Sequence, residues 1–268
     1  MTQEEKARMF AALHVNTFVL PNAWDAASAR IFEEEKFQAI GTTSAGVAFA
    51  MGYRDGQRIP AEEMLSVVRR IARAVDVPVS ADVEAGYGDP VGTAQRAWEA
   101  GAVGINLEDV TGDEESTQIP INRQVDVIRR IREAVPDLVI NARTDIFLMG
   151  IGEEASRLFR AIERLKAYSE AGAQCVFAPG LKDSGLIRQL TAAVNTPLNI
   201  LAGPGFPTLK EMKELGVKRV SLGSGPMRAC LGVVTRIARE LQNSGTYQAI
   251  TEGQYPYSEA NRLFERKL

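Results

Sequence analysis

Short β-branched runs alternate with amphipathic helical stretches from one end of this chain to the other, and that alternation limits the folds open to it. The strand-like runs fall at residues 17–20, 39–42, 77–82, 103–107, 138–141, 175–178, 198–201 and 220–222. Between them lie helical patterns such as 61–74, with apolar Met64, Leu65, Val68, Ile71 and Ala72, and 124–135, with Val125, Ile128, Ile131 and Ala134. Strands that alternate with helices point to a parallel sheet. Eight repeats in 268 residues, with no composition shift to mark a linker, favour a closed (β/α)8 TIM barrel over an open doubly wound sheet. The stretch 1–268 then reads as a single domain. Gly101, Gly172 and Gly216 each follow a helical run and precede a strand, as helix-ending glycines do. A tail, 246–268, follows the last barrel helix, expected at 229–242. It carries an extra helix at 257–264 whose Tyr257, Ala260, Leu263 and Phe264 need a neighbour to cover them.

With 45% hydrophobic and 24% charged residues and a formal net charge of -3, the chain lacks the basic stripe that nucleic acid binding requires. A small-molecule partner fits better. The start, Met1-Thr2-Gln3-Glu4-Glu5-Lys6, is polar. No apolar run approaches the roughly 18 residues of a spanning helix, so secretion and membrane insertion are unsupported and a cytoplasmic location is expected. Cys175 and Cys230 have apolar neighbours and read as reduced, buried thiols. The only histidine, His14, precedes the first strand and reads as a helix-end or surface residue, away from acid–base chemistry.

One segment stands out for chemistry. In Val79-Ser80-Ala81-Asp82-Val83-Glu84-Ala85-Gly86-Tyr87-Gly88-Asp89, a strand delivers two acids into a glycine turn. Side chains alternate along a strand, so Asp82 and Glu84 would share a face at its C-terminal end. A hard cation such as Mg²⁺ is suited by that pair; the alternative is two acids that cap the next helix. Two further strands end in charge, at Glu108-Asp109 and at Arg143-Thr144-Asp145, and Asp55 lies in the long loop after the second strand. In a TIM barrel those strand ends form the catalytic face.

Four phrases together resemble the isocitrate lyase and phosphoenolpyruvate mutase superfamily over nearly the whole chain. They are Pro21-Asn22-Ala23-Trp24-Asp25-Ala26-Ala27-Ser28-Ala29-Arg30, Thr42-Thr43-Ser44-Ala45-Gly46-Val47 with Gly52-Tyr53-Arg54-Asp55, the Asp82 to Gly88 strand end, and Asn106-Leu107-Glu108-Asp109. The resemblance implies Asp82 as the nearest protein ligand of Mg²⁺, or of Mn²⁺, with Glu84 and Glu108 holding the ion's water shell. It implies a substrate carboxylate held at Thr43, Ser44 and Ala45, with Trp24, Asp82 and Arg143 as further substrate-binding residues. Arg143 would also stabilise negative charge on an enolate oxygen, and it forms the catalytic set with Asp55 and Glu108. Relatives of this type swap their last helices between subunits, which implies a homotetramer here.

Departures from the family pattern narrow the reading. The lyase branches carry a Lys-Lys/Arg-Cys-Gly-His loop after the fourth strand, whereas this chain has Val110-Thr111-Gly112-Asp113-Glu114-Glu115-Ser116-Thr117-Gln118-Ile119-Pro120. The mutase and phosphonopyruvate hydrolase branches place Lys and Asn there, and neither is present before Asn122. Family members often have Asp where Glu84 stands. Glu114, Glu115 and Ser116 are left as candidate loop contributors. The expectation is a Mg²⁺-dependent carbon–carbon lyase or decarboxylase acting on a small 2-oxo or 2-hydroxy dicarboxylate through an enolate. A carbon–phosphorus mutase or hydrolase, and a non-catalytic oxoacid binder, remain as alternatives.

Overall fold

A computed structural model describes residues 1–111 and 117–265. Its strands are β1 (Phe18–Leu20), β2 (Asn22–Ala23), β3 (Ile40–Thr42), β4 (Val79–Asp82), β5 (Gly104–Leu107), β6 (Val139–Arg143), β7 (Cys175–Phe177), β8 (Leu198–Leu201) and β9 (Arg219–Ser221). All pair in parallel, in the order β1-β9-β8-β7-β6-β5-β4-β3-β2. The two ends of that order are successive pieces of one segment, so the sheet curls into a barrel. Eight expected strands become nine because Pro21, which has no N–H to donate, splits the first. Its carbonyl still accepts from Gly41 N at 2.8 Å.

Backbone pairing of β1 with β9 closes the ring, and a side chain carries the seam on past Pro21. Asn22 Nδ2 donates to the Thr42 carbonyl at 2.8 Å, while its Oδ1 accepts from Leu222 N at 2.8 Å and Gly223 N at 2.9 Å. One amide thereby ties the first barrel strand to the second and to the end of the last. Gly41 makes the room, since a Cβ there would come within 2.9 Å of Asn22 Nδ2.

Helices α2 (Ala26–Glu34), α4 (Ala61–Ala74), α5 (Pro90–Glu99), α6 (Ile121–Ala134), α7 (Glu154–Glu170), α8 (Ser184–Ala193) and α9 (Leu209–Glu214) alternate with the strands, and α3 (Ser44–Ala50) is an extra turn after β3. Met64, Leu65, Val68 and Ile71 of α4 and Ile128 and Ile131 of α6 are buried, as the 3.6-residue period asks. Gly101, Gly172 and Gly216 have φ of 97°, 114° and 85°, left-handed positions that end their helices without a Cβ clash.

Helix α1 (Gln3–Leu13) lies against the end of the barrel opposite the strand C-termini. Phe10 packs there with Leu20, Ala39, Val103 and Val139, and a Cβ on Gly104 would come within 2.7 Å of its ring. His14 ends this helix and is buried rather than on the surface, with its ring edge-on to Phe10 and Phe18. Its Nδ1 donates to the Phe10 carbonyl at 3.0 Å, leaving Nε2 buried without a partner.

The C-terminal part corrects two expectations. Helix α10 (Gly225–Asn243) does not pack along its length as an eighth barrel helix: only Met227 is buried, and Leu231, Val234 and Leu241 are exposed. Cys230 is exposed for the same reason, while Cys175 inside β7 is buried as expected. After α11 (Gln248–Thr251), α12 (Tyr257–Leu263) folds back on α2, where Leu263 is buried and its carbonyl accepts from Arg30 Nε at 2.8 Å. Tyr257 and Phe264 stay exposed, so the chain itself covers only part of the expected stripe.

Burial lowers the His14 pKa from 6.5 to about 4, with the Arg219 charge adding to the effect. Between those values the unfolded chain binds a proton that the folded one refuses, so stability is full above about pH 6.5 and falls as pH drops toward 4. His14→Leu should remove about 3 kcal/mol of this pH-dependent loss. Urea unfolding of both proteins at pH 7 and pH 4.5 measures it, and identical pH slopes would refute the assignment.

Candidate active site

The strand C-termini surround a cavity of about 670 Å³ lined by side chains from every quarter of the barrel. Asp82 ends β4 and lines this cavity. Its Oδ2 accepts from both the backbone N–H and the hydroxyl of Ser44, at 2.9 and 2.8 Å. Its Oδ1 accepts from Asn106 Nδ2 at 2.8 Å, and Asn106 Oδ1 in turn accepts from Asn141 Nδ2 at 2.9 Å. Three neighbouring strands and the start of α3 therefore fix one carboxylate. Ser44 spends both donors on Asp82, and Thr43 caps α3 by accepting from Gly46 N.

Glu84 reaches the same cavity by a different route from the strand alternation that the sequence suggested. The strand stops at Asp82, and Glu84 sits at φ 49°, turning its side chain inward. Gln57 and Tyr87 are also left-handed, at 58° and 53°. These three strained residues hold one another: Gln57 N donates to Glu84 Oε2 at 2.7 Å, Tyr87 OH to Glu84 Oε1 at 2.9 Å, and Tyr87 N to Gln57 Oε1 at 2.6 Å. Left-handed non-glycine residues cost roughly 1–3 kcal/mol each and gather where surrounding structure enforces them.

Arg143 ends β6 between two acids. Nη1 meets Glu108 Oε1 at 2.5 Å, and Nε and Nη2 donate to Asp145 Oδ1 at 3.0 and 2.6 Å. Of its five N–H donors, two have no partner among the described residues. Asp145 is itself held by Asp109, whose Oδ1 accepts from Asp145 N at 3.1 Å. Asp109 is fully buried and its Oδ2 accepts from Arg164 Nε at 2.7 Å and Tyr168 OH at 2.9 Å, so α7 anchors the end of β5 and the Arg143 clamp together.

The electrostatics reflect a crowd of carboxylates. Burial and the Asp82 charge raise Glu84 to about 7, against the pull of its hydrogen bonds from Tyr87 and Gln57. Burial pushes Glu108 well above the usual range, Arg143 draws it back, and Asp145, Asp82 and Glu84 push it up again. Partial desolvation and the Asp82 charge raise Asp55 at the cavity mouth. The acids outweigh the burial penalty on Arg143 and hold it charged.

Of the residues proposed from sequence, Thr43, Ser44, Ala45, Asp55, Asp82, Glu84, Glu108 and Arg143 all line this cavity. Trp24 does not. It packs beside Ala23, Ala29 and Val47 in a separate apolar cluster and serves the seam rather than the pocket. Glu114, Glu115 and Ser116 lie outside the described residues. Sequence reading offered Asp145 as an ion-pair partner of Arg143, which the structure shows, but left Gln57, Tyr87, Asn106, Asn141 and Asn199 out of the site. Four asparagines within β-branched runs, at 22, 106, 141 and 199, were the available signal, because Asn is depleted in strands unless it has a polar surface to face.

With this geometry in view, a sequence model of the family described as phosphoenolpyruvate phosphomutase matches residues 10–242. The chain belongs to that family. Among solved structures it resembles a protein from Burkholderia cenocepacia J2315, itself only assigned by inference as a lyase/mutase, with 37% identity, TM-score 0.91 and coverage of 98% of this chain and 97% of that one. It is 28% identical to the 2-methylisocitrate lyase of Escherichia coli strain K12 over 264 residues, 92% of this chain and 87% of that protein. It is also 28% identical to the oxaloacetate decarboxylase of Rhodopseudomonas palustris strain HaA2 over 274 residues, 93% and 89%. Barrel, acid-lined cavity and family agree on a lyase-type enzyme.

Replacing Arg143 by Met would leave Glu108 and Asp145 buried without a counter-charge. The folded variant should be less stable than the wild type by about 3–5 kcal/mol near pH 7. Both acids already lean toward protonation. The deficit should therefore shrink as pH falls toward 5 and they take up protons. Denaturant titrations at the two pH values check this, and a pH-independent deficit would count against it.

Proposed function

We propose that the protein is a Mg²⁺-dependent carbon–carbon lyase or decarboxylase acting on a small 2-oxo or 2-hydroxy dicarboxylate through an enolate. The observation that carries this reading is the group of carboxylates, Asp82, Glu84 and Glu108, that share one cavity with the charged fork of Arg143, Glu84 buried and the other two partly so. These are hard oxygen donors whose mutual repulsion a divalent cation would relieve. Among the described residues no three His, Cys, Asp or Glu side chains are placed to grip an ion together. That suits Mg²⁺, which takes one or two carboxylates directly and keeps several waters. Bound there, Mg²⁺ would supply Lewis acidity toward a substrate's carboxylate and keto oxygens.

The chain's own groups do the rest. Asp82, locked by Ser44 and Asn106, would present a fixed carboxylate, and Glu84 and Glu108 would hold waters. The two N–H groups of Arg143 that have no partner among the described residues would meet negative charge that develops on the substrate oxygen when the bond beta to the keto carbon breaks. Asp55 stands at the mouth with Arg54 and Arg58, where the far end of a dicarboxylate would lie. The relatives named for carbon–carbon chemistry support this substrate class; the family description keeps carbon–phosphorus cleavage as the second reading.

Screening 2-oxo and 2-hydroxy acids with Mg²⁺ should give a 2-oxo product, with activity abolished by EDTA and restored by Mg²⁺ or Mn²⁺. Asn106→Leu should weaken metal binding by roughly 10–100-fold, because it frees the Asp82 carboxylate. Release of inorganic phosphate from phosphonopyruvate would favour the second reading, and full turnover by metal-stripped protein would overturn both.

Assembly belongs to the same proposal. Leu231, Val234 and Leu241 form an uncovered apolar face on α10, and a second copy of the chain can cover it by exchanging C-terminal helices. A homotetramer of this kind, cytoplasmic and free of membrane contact, is expected; no described helix is long and apolar enough to cross a membrane. Light scattering should report four chains, truncation after Gly245 should lower assembly and solubility, and a monodisperse monomer would refute it.

A further inference from the structure

Below Asp82 the cavity continues into the barrel and meets a charge that the chemistry above does not use. Arg219, on β9, is only 3% exposed yet lines this cavity. Its Nε and Nη1 have no hydrogen-bond partner, and it forms no ion pair among the described residues. Its guanidinium carbon lies 5.7 Å from the centroid of the ring of Phe10, a member of the apolar cluster under α1. Asn199, its register partner on β8, is fully buried with both amide atoms unpartnered. Asn141 Oδ1 and Ser80 Oγ, on the same cavity wall, are likewise unpartnered.

Unpaired polar atoms at this density call for an occupant. Water could meet the hydrogen bonds, but a buried guanidinium also needs a counter-charge. Arg143, in the same cavity, has two acids against it; Arg219 has none in contact. Burial lowers its pKa, and only Cys175 and Asp82 oppose that. The Cys175 thiol is pushed up to about 12 by burial and so carries no charge near neutrality. Asp82 is occupied by Ser44 and Asn106.

We propose that this well is a binding site for a small monovalent anion, the size of chloride or formate, held by the Arg219 fork and the Asn199 amide. A guanidinium matches a small carboxylate or halide through its edge N–H groups, and Asn199 Nδ2 and Ser80 Oγ add neutral donors. The site shares its cavity with the proposed metal chemistry, but anion binding there needs no metal.

The test uses the full-length protein in EDTA at constant ionic strength, with sodium gluconate as the bulky reference salt. Replacing gluconate by chloride or formate should raise the melting temperature saturably, by about 2–4 °C. Arg219→Met should lose that rise, and in gluconate it should melt no lower than wild type, because it removes an uncompensated buried charge. Asn199→Leu, which keeps the guanidinium, should shift the chloride midpoint upward by roughly tenfold. Wild-type crystals soaked in bromide should show anomalous density within hydrogen-bond distance of Arg219 and Asn199. An equal salt-dependent rise in Arg219→Met, or bromide absent and only water in the well, would overturn the proposal.

Discussion

The amide of Asn22 is the contact on which the rest of the molecule depends. A barrel is closed only if its first and last strands meet, and here the first strand is broken by a proline that cannot donate to the ladder. Asn22 replaces backbone pairing at the break, giving a donor to the second strand and an acceptor to two N–H groups after β9. Asp82 and Arg143 end strands of that ring, and Glu108 directly follows one. A loosened seam would change the spacing of Asp82, Glu108 and Arg143, none of which touches Asn22.

The cavity is built as a balance of charge in which position matters as much as count. Asp82 is immobilised by hydrogen bonds from three directions, while Glu84 is held by a trio of left-handed residues that no local preference would assemble. Arg143 is braced through Asp145 to Asp109, and Asp109 is braced by Arg164 and Tyr168 of α7. The outer helix thus reaches the centre of the site through buried hydrogen bonds. In a low-dielectric surrounding such a chain is stiff, because each unmade bond would strand a desolvated group.

The same logic explains why the barrel interior is polar near its catalytic end and apolar at the other. Asn106, Asn141, Asn199 and Arg219 face a cavity, so their polar atoms have something to meet. Phe10, Leu20, Val103 and Val139 pack together in an apolar cluster, and α1 covers that end. A histidine caught at this end is forced neutral by the surroundings that favour the phenylalanines.

Periodicity alone revealed the eight βα repeats, the three helix-ending glycines and the placement of Asp82, Glu108 and Arg143 at strand ends, because each follows from local backbone geometry. The family was legible too, in phrases whose residues are neighbours in sequence. Tertiary structure decided the rest. Glu84 faces the cavity through a left-handed turn rather than through strand alternation. Trp24 packs against an apolar cluster with Ala23, Ala29 and Val47, although its phrase marks the family. Cys230, apolar in its neighbourhood, is exposed because α10 leaves the barrel. Arg219 becomes a buried, unpaired charge only when β9 closes against β1. Sequence patterns report which face a residue takes on its own element, while burial and pairing depend on elements brought together from distant parts of the chain, and those long-range contacts set the cost of every buried charge.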